Sequence, residues 1–201
     1  MRMRHLVVAV AALAVAVLAS GTAWAAGPLD HPGYVKALTC TACHGAGGNS
    51  PSSSMPILAG MNSAYFKKQI QDYAAGKRPS PEMEPYAKQV LQLGVDEVAA
   101  YFAAQKMQPT PVKSDPAAIE RGRAASAQCV ICHGRDGKGD PAKAVPNITR
   151  QPPGYLAEQM ALFKQDRRNP GDASLAALKA LMKTIPDATF GDLAAYYSSL
   201  R

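Results

Sequence analysis

The residues in this sequence best suited to chemistry are its four cysteines and the histidines that follow them. They form the pattern C-x-x-C-H twice: Cys40, Cys43 and His44, then Cys129, Cys132 and His133. This pattern is the attachment signature of c-type haem. Two thiols on one helical turn can each add to a haem vinyl group, and the next histidine then gives the iron a proximal nitrogen. The doubled motif therefore predicts two covalently bound haem c groups.

Other uses of paired cysteines are less consistent with the rest of the sequence. A structural zinc site needs four Cys or His ligands. The chain has only four histidines, His5, His31, His44 and His133, so neither motif has an obvious fourth ligand. A thioredoxin-like dithiol expects a βαβ pattern around the cysteines, and the neighbouring sequence has none. The repeated motif favours haem over zinc, a redox dithiol or disulfides.

The first 26 residues have the features of an export signal. Arg2 and Arg4 precede an apolar run over residues 6–19, and an A-x-A site follows at residues 23–25. This order is typical of a secretory signal peptide, with cleavage after Ala25 or Ala26. An uncleaved anchor is the alternative, although the apolar run is short for a membrane span. We expect a periplasmic protein, because haem attachment to this motif takes place outside the cytoplasm in bacteria.

The charge of the chain is modestly positive. The sequence has 22 Lys and Arg against 15 Asp and Glu, a formal charge of +7, and removal of Arg2 and Arg4 leaves +5. The basic residues are scattered, with no basic tail and no interleaved aromatics, which argues against a nucleic-acid partner. A solvated face or a docking surface for an acidic redox partner explains the charge equally well. Peripheral association with a membrane is left open.

The chain repeats itself, and its regular segments indicate helices. Residues 63–75 carry Phe66, Ile70 and Tyr73 on one helical face, and residues 95–105 form a further helix of the first half. Several positions recur at offsets of 89 to 95: Gly33, Cys40, Pro56, Leu58, Tyr65, Gln69, Arg78 and Tyr101 become Gly122, Cys129, Pro146, Ile148, Tyr155, Gln159, Arg168 and Tyr196. Such a repeat predicts two versions of one small domain. We call residues 27–107 the first copy and residues 115–201 the second copy, joined by a linker over residues 108–114.

With no convincing strand, the predicted fold class is all-α. The two C-x-x-C-H motifs, the Pro-x-Leu-Ala-Gly run that begins at Pro56 and the Ala-Ala-Tyr helix of each copy resemble the dihaem cytochrome c4 family. They are also similar to the dihaem cytochrome subunit of flavocytochrome c sulfide dehydrogenase. The resemblance covers essentially the whole mature chain. It implies two tandem cytochrome c-like domains, each around one covalent haem c, with electrons passing between the haems. It also implies that helices cross where Gly33 faces Tyr101 and Gly122 faces Tyr196.

The resemblance also implies a sixth iron ligand, a methionine in the loop before the last helix of each copy. In the first copy this position falls on Met83, eighteen residues before Tyr101. A thioether is a soft ligand that favours ferrous iron and raises the potential. A core methionine that fills a gap is the alternative.

The second copy departs from that pattern. The window that corresponds to Met83 covers residues 173–178 and contains only Ala, Ser and Leu, so Leu175 or Leu178 stands at the ligand position. Met182 is the nearest thioether, but it lies in the middle of a predicted helix. The second haem is therefore left with three options for its sixth position: Met182, a lysine (Lys179 or Lys183), or no protein ligand.

These features favour an electron carrier over an enzyme. The first hypothesis is a periplasmic dihaem cytochrome that links a dehydrogenase or a quinol-oxidising complex to a terminal acceptor such as an oxidase. The second is a cytochrome subunit docked on a flavoprotein, sulfide-type dehydrogenase. The third is a redox enzyme whose open second haem binds a small molecule. No group of ionisable residues around the second motif suggests a general acid or base.

Overall fold

The computed structural model describes residues 27–168 and 174–201, so the predicted signal peptide lies outside the described residues. Within these ranges the regular structure is helical, and the only β-type pairing is an isolated bridge between Asp140 and Val145. The α-helices in chain order are α1 Tyr34–His44, α2 Ser63–Ala74, α3 Met83–Leu93, α4 Val95–Ala104, α5 Pro116–Ala125, α6 Val130–His133, α7 Pro153–Lys164, α8 Ser174–Thr184 and α9 Asp187–Ser199. The all-α prediction is confirmed.

Local sequence explains where the predicted helices begin. Helix α2 starts after Asn62, whose side-chain oxygen accepts a hydrogen bond from the Tyr65 amide at 2.9 Å. Helix α5 starts after Asp115, which accepts from the Ala117 amide at 3.1 Å. A short polar side chain at this position satisfies one of the amides left without an intrahelical partner. Pro116 follows at the first helical position, where its missing N–H costs nothing.

Helix α3 corrects the sequence prediction, which placed Met83 in the loop before the last helix of the first copy. Met83 is instead the first residue of an eleven-residue helix. Pro85 suggested a loop, but it lies in the first helical turn, where the ring is tolerated. The helix is amphipathic, with Ala87 and Val90 buried in the core of the first copy.

Each copy has its own apolar core. Each copy also contains the helix crossing that the sequence resemblance implied. In the first copy an added Cβ at Gly33 would collide with the Glu97 carbonyl oxygen and lie 3.1 Å from Tyr101 Cβ. In the second copy an added Cβ at Gly122 would collide with the Asp192 carbonyl oxygen on α9 and lie 2.8 Å from Tyr196 Cβ. Only glycine permits this close approach, so both crossings are confirmed.

The described helices were also compared with the length and hydropathy that a membrane span requires. Within residues 27–168 and 174–201, no helix is both long enough and apolar enough to cross a bilayer.

Candidate haem centres

The two motifs lie at equivalent places in the two copies. In the first, helix α1 ends at His44, and Gly45 turns the chain with a φ of 76°. In the second, the short helix α6 ends at His133, and Gly134 turns the chain with a φ of 73°. A positive φ is easy only for glycine. The same glycine turn follows each histidine, and the structure places His44 as buried and His133 as half-buried.

The cysteines of each motif differ in exposure. None of the four forms a disulfide in the part of the chain that the structure describes; Cys40 and Cys129 are half-buried, whereas Cys43 and Cys132 are exposed. Cys40 packs against the first core and Cys129 against the second. Burial raises the pKa of the Cys40 and Cys129 thiols. A raised pKa disfavours the thiolate, which is the nucleophilic form of a cysteine.

The ring of His44 is oriented by a backbone carbonyl. Its Nδ1 lies 2.8 Å from the Pro56 carbonyl oxygen. Because a carbonyl can only accept, Nδ1 must carry the proton, and Nε2 keeps its lone pair. Nε2 is buried and has no hydrogen-bond partner. Burial also lowers the pKa of His44, which favours the neutral ring that a metal requires.

His133 repeats this arrangement in the second copy. Its Nδ1 lies 3.0 Å from the Pro146 carbonyl oxygen, and burial lowers the pKa of the ring. The sequence showed that Pro56 and Pro146 are related by the repeat, but it did not identify them as partners of the histidines. A carbonyl that holds the second ring nitrogen is what a metal-binding histidine usually has.

The surroundings of the two histidines fit a haem. A buried imidazole nitrogen without a partner is costly unless something else binds it. Iron under a covalently attached porphyrin would meet that need at His44. Within the described ranges no three His, Cys, Asp or Glu residues cluster as a metal-binding group. A single histidine donor beside two cysteines fits a haem, in which the porphyrin itself supplies four nitrogens.

The two methionines considered as sixth ligands lie in different surroundings. Met83 is half-buried at the start of α3, where its amide donates to the Ser80 carbonyl oxygen at 3.1 Å. Met182 is only 4% exposed and lies inside α8, close to its C-terminal end. Leu175 and Leu178, which stand in the window that corresponds to Met83, are half-buried in the first turns of α8.

The two lysines considered as ligands already have a partner. The ammonium groups of Lys179 and Lys183 lie 2.6 and 2.7 Å from the two carboxylate oxygens of Asp166. These hydrogen bonds lower the pKa of Asp166 to about 2. Asp166 itself has a φ of 56°, which is uncommon outside glycine. The ion pairs join α8 to the turn that follows α7, and they engage both lysine ammonium groups.

A buried polar network joins the two copies. It consists of the repeat-related residues Tyr65, Gln69 and Arg78 from the first copy and Tyr155, Gln159 and Arg168 from the second, here called the interface network. Each arginine bonds the glutamine of its own copy, at 2.8 Å in the first and 2.9 Å in the second. Arg78 also bonds the glutamine and tyrosine of the other copy at 2.7 and 3.0 Å. Arg168 does the same at 2.7 and 3.1 Å.

The network brings two buried cations together between the copies. The guanidinium carbon of Arg78 lies 4.5 Å from the ring centre of Tyr73, and that of Arg168 lies 4.5 Å from the ring centre of Phe163. Burial would raise the pKa of Tyr65, but the charges of Arg168 and Arg78 outweigh burial and lower it. Among the described residues neither arginine forms an ion pair with a carboxylate. Both guanidinium groups are therefore held at the contact between the two copies by neutral partners and aromatic rings.

Comparison with known proteins agrees with this geometry. The cytochrome c family model matches residues 119–201. Cytochrome c4 from Pseudomonas aeruginosa is 36% identical over 164 residues, which cover 78% of this chain and 81% of that protein. A thiosulfate dehydrogenase electron acceptor from Thiomonas intermedia is 31% identical over 189 residues, which cover 89% of this chain and 84% of that protein.

A solved structure is similar over both copies. Reduced recombinant cytochrome c4 from Pseudomonas stutzeri superposes with a TM-score of 0.75 at 27% identity, covering 83% of this chain and 96% of that one. This match covers 83% of the chain, a larger part than residues 119–201, which the cytochrome c family model matches. The chain therefore has the cytochrome c fold and two covalent haem c groups, and it belongs to the cytochrome c4 family of electron carriers.

Proposed function

We propose that this chain is a periplasmic dihaem carrier that takes electrons from a dehydrogenase or a quinol-oxidising complex and passes them to a terminal acceptor. The observation that carries the proposal is the buried, partner-free Nε2 of His44 beside its C-x-x-C motif. The haem supplies reversible one-electron chemistry when bound. The chain holds each histidine in one tautomer and joins the two centres through the interface network.

The proposal assigns the iron ligands by copy. His44 and Met83 hold the first haem, and His133 holds the second. For the sixth position of the second haem, Met182 is the protein ligand left to consider, because Lys179 and Lys183 are engaged by Asp166. The alternative is an open sixth position. The domain limits that go with this assignment are residues 27–107 and 115–201, with residues 108–114 as the linker.

A sulfur-compound dehydrogenase is the donor that the comparisons favour. The similarity to a thiosulfate dehydrogenase electron acceptor extends over 189 residues. The chain would then serve a dedicated catalytic partner, as in the hypothesis of a cytochrome subunit for a flavoprotein dehydrogenase. Reduction by a purified thiosulfate dehydrogenase, compared with reduction by a quinol-oxidising complex, separates the two kinds of donor.

The second haem keeps a separate candidate function open. Because residues 173–178 contain no methionine, its iron either takes Met182 or has a free sixth position. A free position would bind small molecules such as peroxide or a sulfur compound. Peroxide-dependent turnover that disappears when His133 is replaced would support this function over a simple carrier.

Replacing Met83 by alanine tests the first haem. We expect the variant to lose the weak red-end absorption band of the ferric Fe–S bond at one haem and to lower that haem's potential, because a thioether favours Fe(II). Optical and EPR spectra recorded through a redox titration measure both. The variant Met61→Ala is the matched control and should keep the band. A Met83→Ala protein that keeps both properties contradicts the assignment.

A further inference from the structure

One side chain of the second copy reaches the loop that orients His44 in the first. Gln151 is 4% exposed, and its two amide atoms bond the backbone of Ile57, which is 1% exposed. Its Oε1 accepts from the Ile57 amide at 2.9 Å, and its Nε2 donates to the Ile57 carbonyl at 2.8 Å. A single glutamine thus satisfies both backbone groups of a buried residue in the other copy.

The same peptide group also holds the iron ligand. The Pro56 carbonyl that accepts from His44 Nδ1 and the Ile57 amide that donates to Gln151 belong to one planar peptide unit. The hydrogen bonds therefore run in sequence from the imidazole N–H through the peptide to the glutamine oxygen. Each bond in such a chain polarises the next. Donation from the Ile57 amide makes the Pro56 carbonyl a stronger acceptor for the histidine proton.

A stronger acceptor at Nδ1 increases the basicity of the opposite ring nitrogen. A more basic imidazole stabilises Fe(III) relative to Fe(II), and hydrogen bonding around the axial ligand is one of the ways in which a protein sets a haem potential. We propose that Gln151 of the second copy is a positioning residue for His44 in the first, and that its hydrogen bond lowers the potential of the first haem. This inference rests on the proposed role of His44 as an iron ligand.

The first copy does not return this contact. The repeat relates Gln151 to Met61, and a thioether cannot form the same pair of hydrogen bonds. The second haem therefore lacks a matching glutamine from the first copy. The two haems differ on the histidine side, independently of the missing methionine in residues 173–178. Docking of the second copy is thus part of the ligand environment of the first iron.

The variant Gln151→Met tests the proposal, because methionine is the residue that the repeat places at the related position. Its matched control is Gln159→Met, which breaks hydrogen bonds between the copies but does not touch the Pro56–Ile57 peptide. Two quantities are measured on the holoprotein. One is the potential of each haem by optical redox titration. The other is the Nδ1–H resonance of each ligand histidine in ferrous protein labelled with 15N-histidine.

We expect Gln151→Met to shift the redox equilibrium of one haem about tenfold towards Fe(II), which corresponds to about 59 mV for one electron. One of the two Nδ1–H resonances should move to higher field, as a weakened hydrogen bond requires. Gln159→Met should not single out one haem in this way. Equal shifts at both haems, or no shift in Gln151→Met, would overturn the proposal.

A second variant gives the opposite sign and guards against a general loss of packing. In Gln151→Glu, measured at alkaline pH where the carboxylate is ionised, the acceptor for the Ile57 amide becomes stronger, while the donor to the Ile57 carbonyl is lost. The potential of the same haem should then fall, and its histidine Nδ1–H resonance should move to lower field, which a negative charge acting through space does not require. A rise in both variants overturns the polarisation argument. Wild-type protein that lacks two histidine-ligated haems would instead contradict the proposed function, so the two failures are distinguishable.

Discussion

Replacing Gly122 by alanine should destabilise the second copy through one steric contact. An added Cβ would lie 2.5 Å from the Asp192 carbonyl carbon and 2.8 Å from Tyr196 Cβ. Ordinary contacts between carbon atoms are about 3.5–4.0 Å. The opposing atoms are fixed in α9, so relief requires helices α5 and α9 to separate by about 1 Å. That separation would also strain the paired hydrogen bonds from Arg121 to Asp192.

The expected magnitude follows from two opposing effects. Overpacking of a filled site costs about 1–3 kcal/mol, and a clash with backbone belongs near the upper end. Alanine in a helix gains about 0.5–1 kcal/mol over glycine. The net loss in the free energy of unfolding should therefore be about 2 kcal/mol. Urea denaturation of the holoprotein, followed by helical circular dichroism, measures it.

The chain offers a matched control for this experiment in Gly191. It lies in α9 of the same copy, is exposed, and an added Cβ there meets nothing within 4 Å. Gly191→Ala makes the same chemical change without a clash, so it should raise stability by about 0.5–1 kcal/mol. If Gly122→Ala proves as stable as Gly191→Ala, the close crossing does not exist in solution.

Two further predictions concern the interface network and the second haem. Tyr155→Phe removes a hydrogen bond from buried Arg78 and should lower the free energy of unfolding by about 1.5–3 kcal/mol. The control Tyr86→Phe, at a residue 45% exposed, should not change the urea midpoint. Equal midpoints for the two variants would contradict the network. Ferrous protein titrated with carbon monoxide at neutral pH should bind one equivalent, at the second haem, because leucine cannot coordinate iron. Two low-spin His/Met spectra with no uptake would show that Met182 is bound, and Met182→Ala should then restore uptake.

The sequence predicted helices well where each element carried its own signals. Helix α2 has an asparagine before its first residue, an apolar face and a glycine after its end, and the structure agrees within one residue. Helix α3 was missed because two nearby prolines, Pro81 and Pro85, are typical of a loop. The distinction depends on where the helix starts, since proline is unfavourable only beyond the first turn.

Contacts between the copies could not be predicted in the same way. The repeat identified Tyr65, Gln69 and Arg78 as related to residues in the second copy, but similarity between two segments does not say that they touch. Gln151 could not be recognised from the repeat, because the related position in the first copy is Met61, a different type of residue. Its partner is the backbone of Ile57, and a backbone N–H or C=O is present at almost every residue, so the sequence does not indicate which one is bonded.

The interface network restricts how the two copies can change over evolutionary time. Each arginine bonds a glutamine in its own copy and a glutamine and tyrosine in the other. A substitution at one position therefore leaves unsatisfied partners on both sides, and a compensating change must arise in the other copy. Met83 takes no part in this network, and its counterpart window over residues 173–178 contains no methionine. Duplicated halves can thus acquire different redox roles while the surface that joins them stays alike.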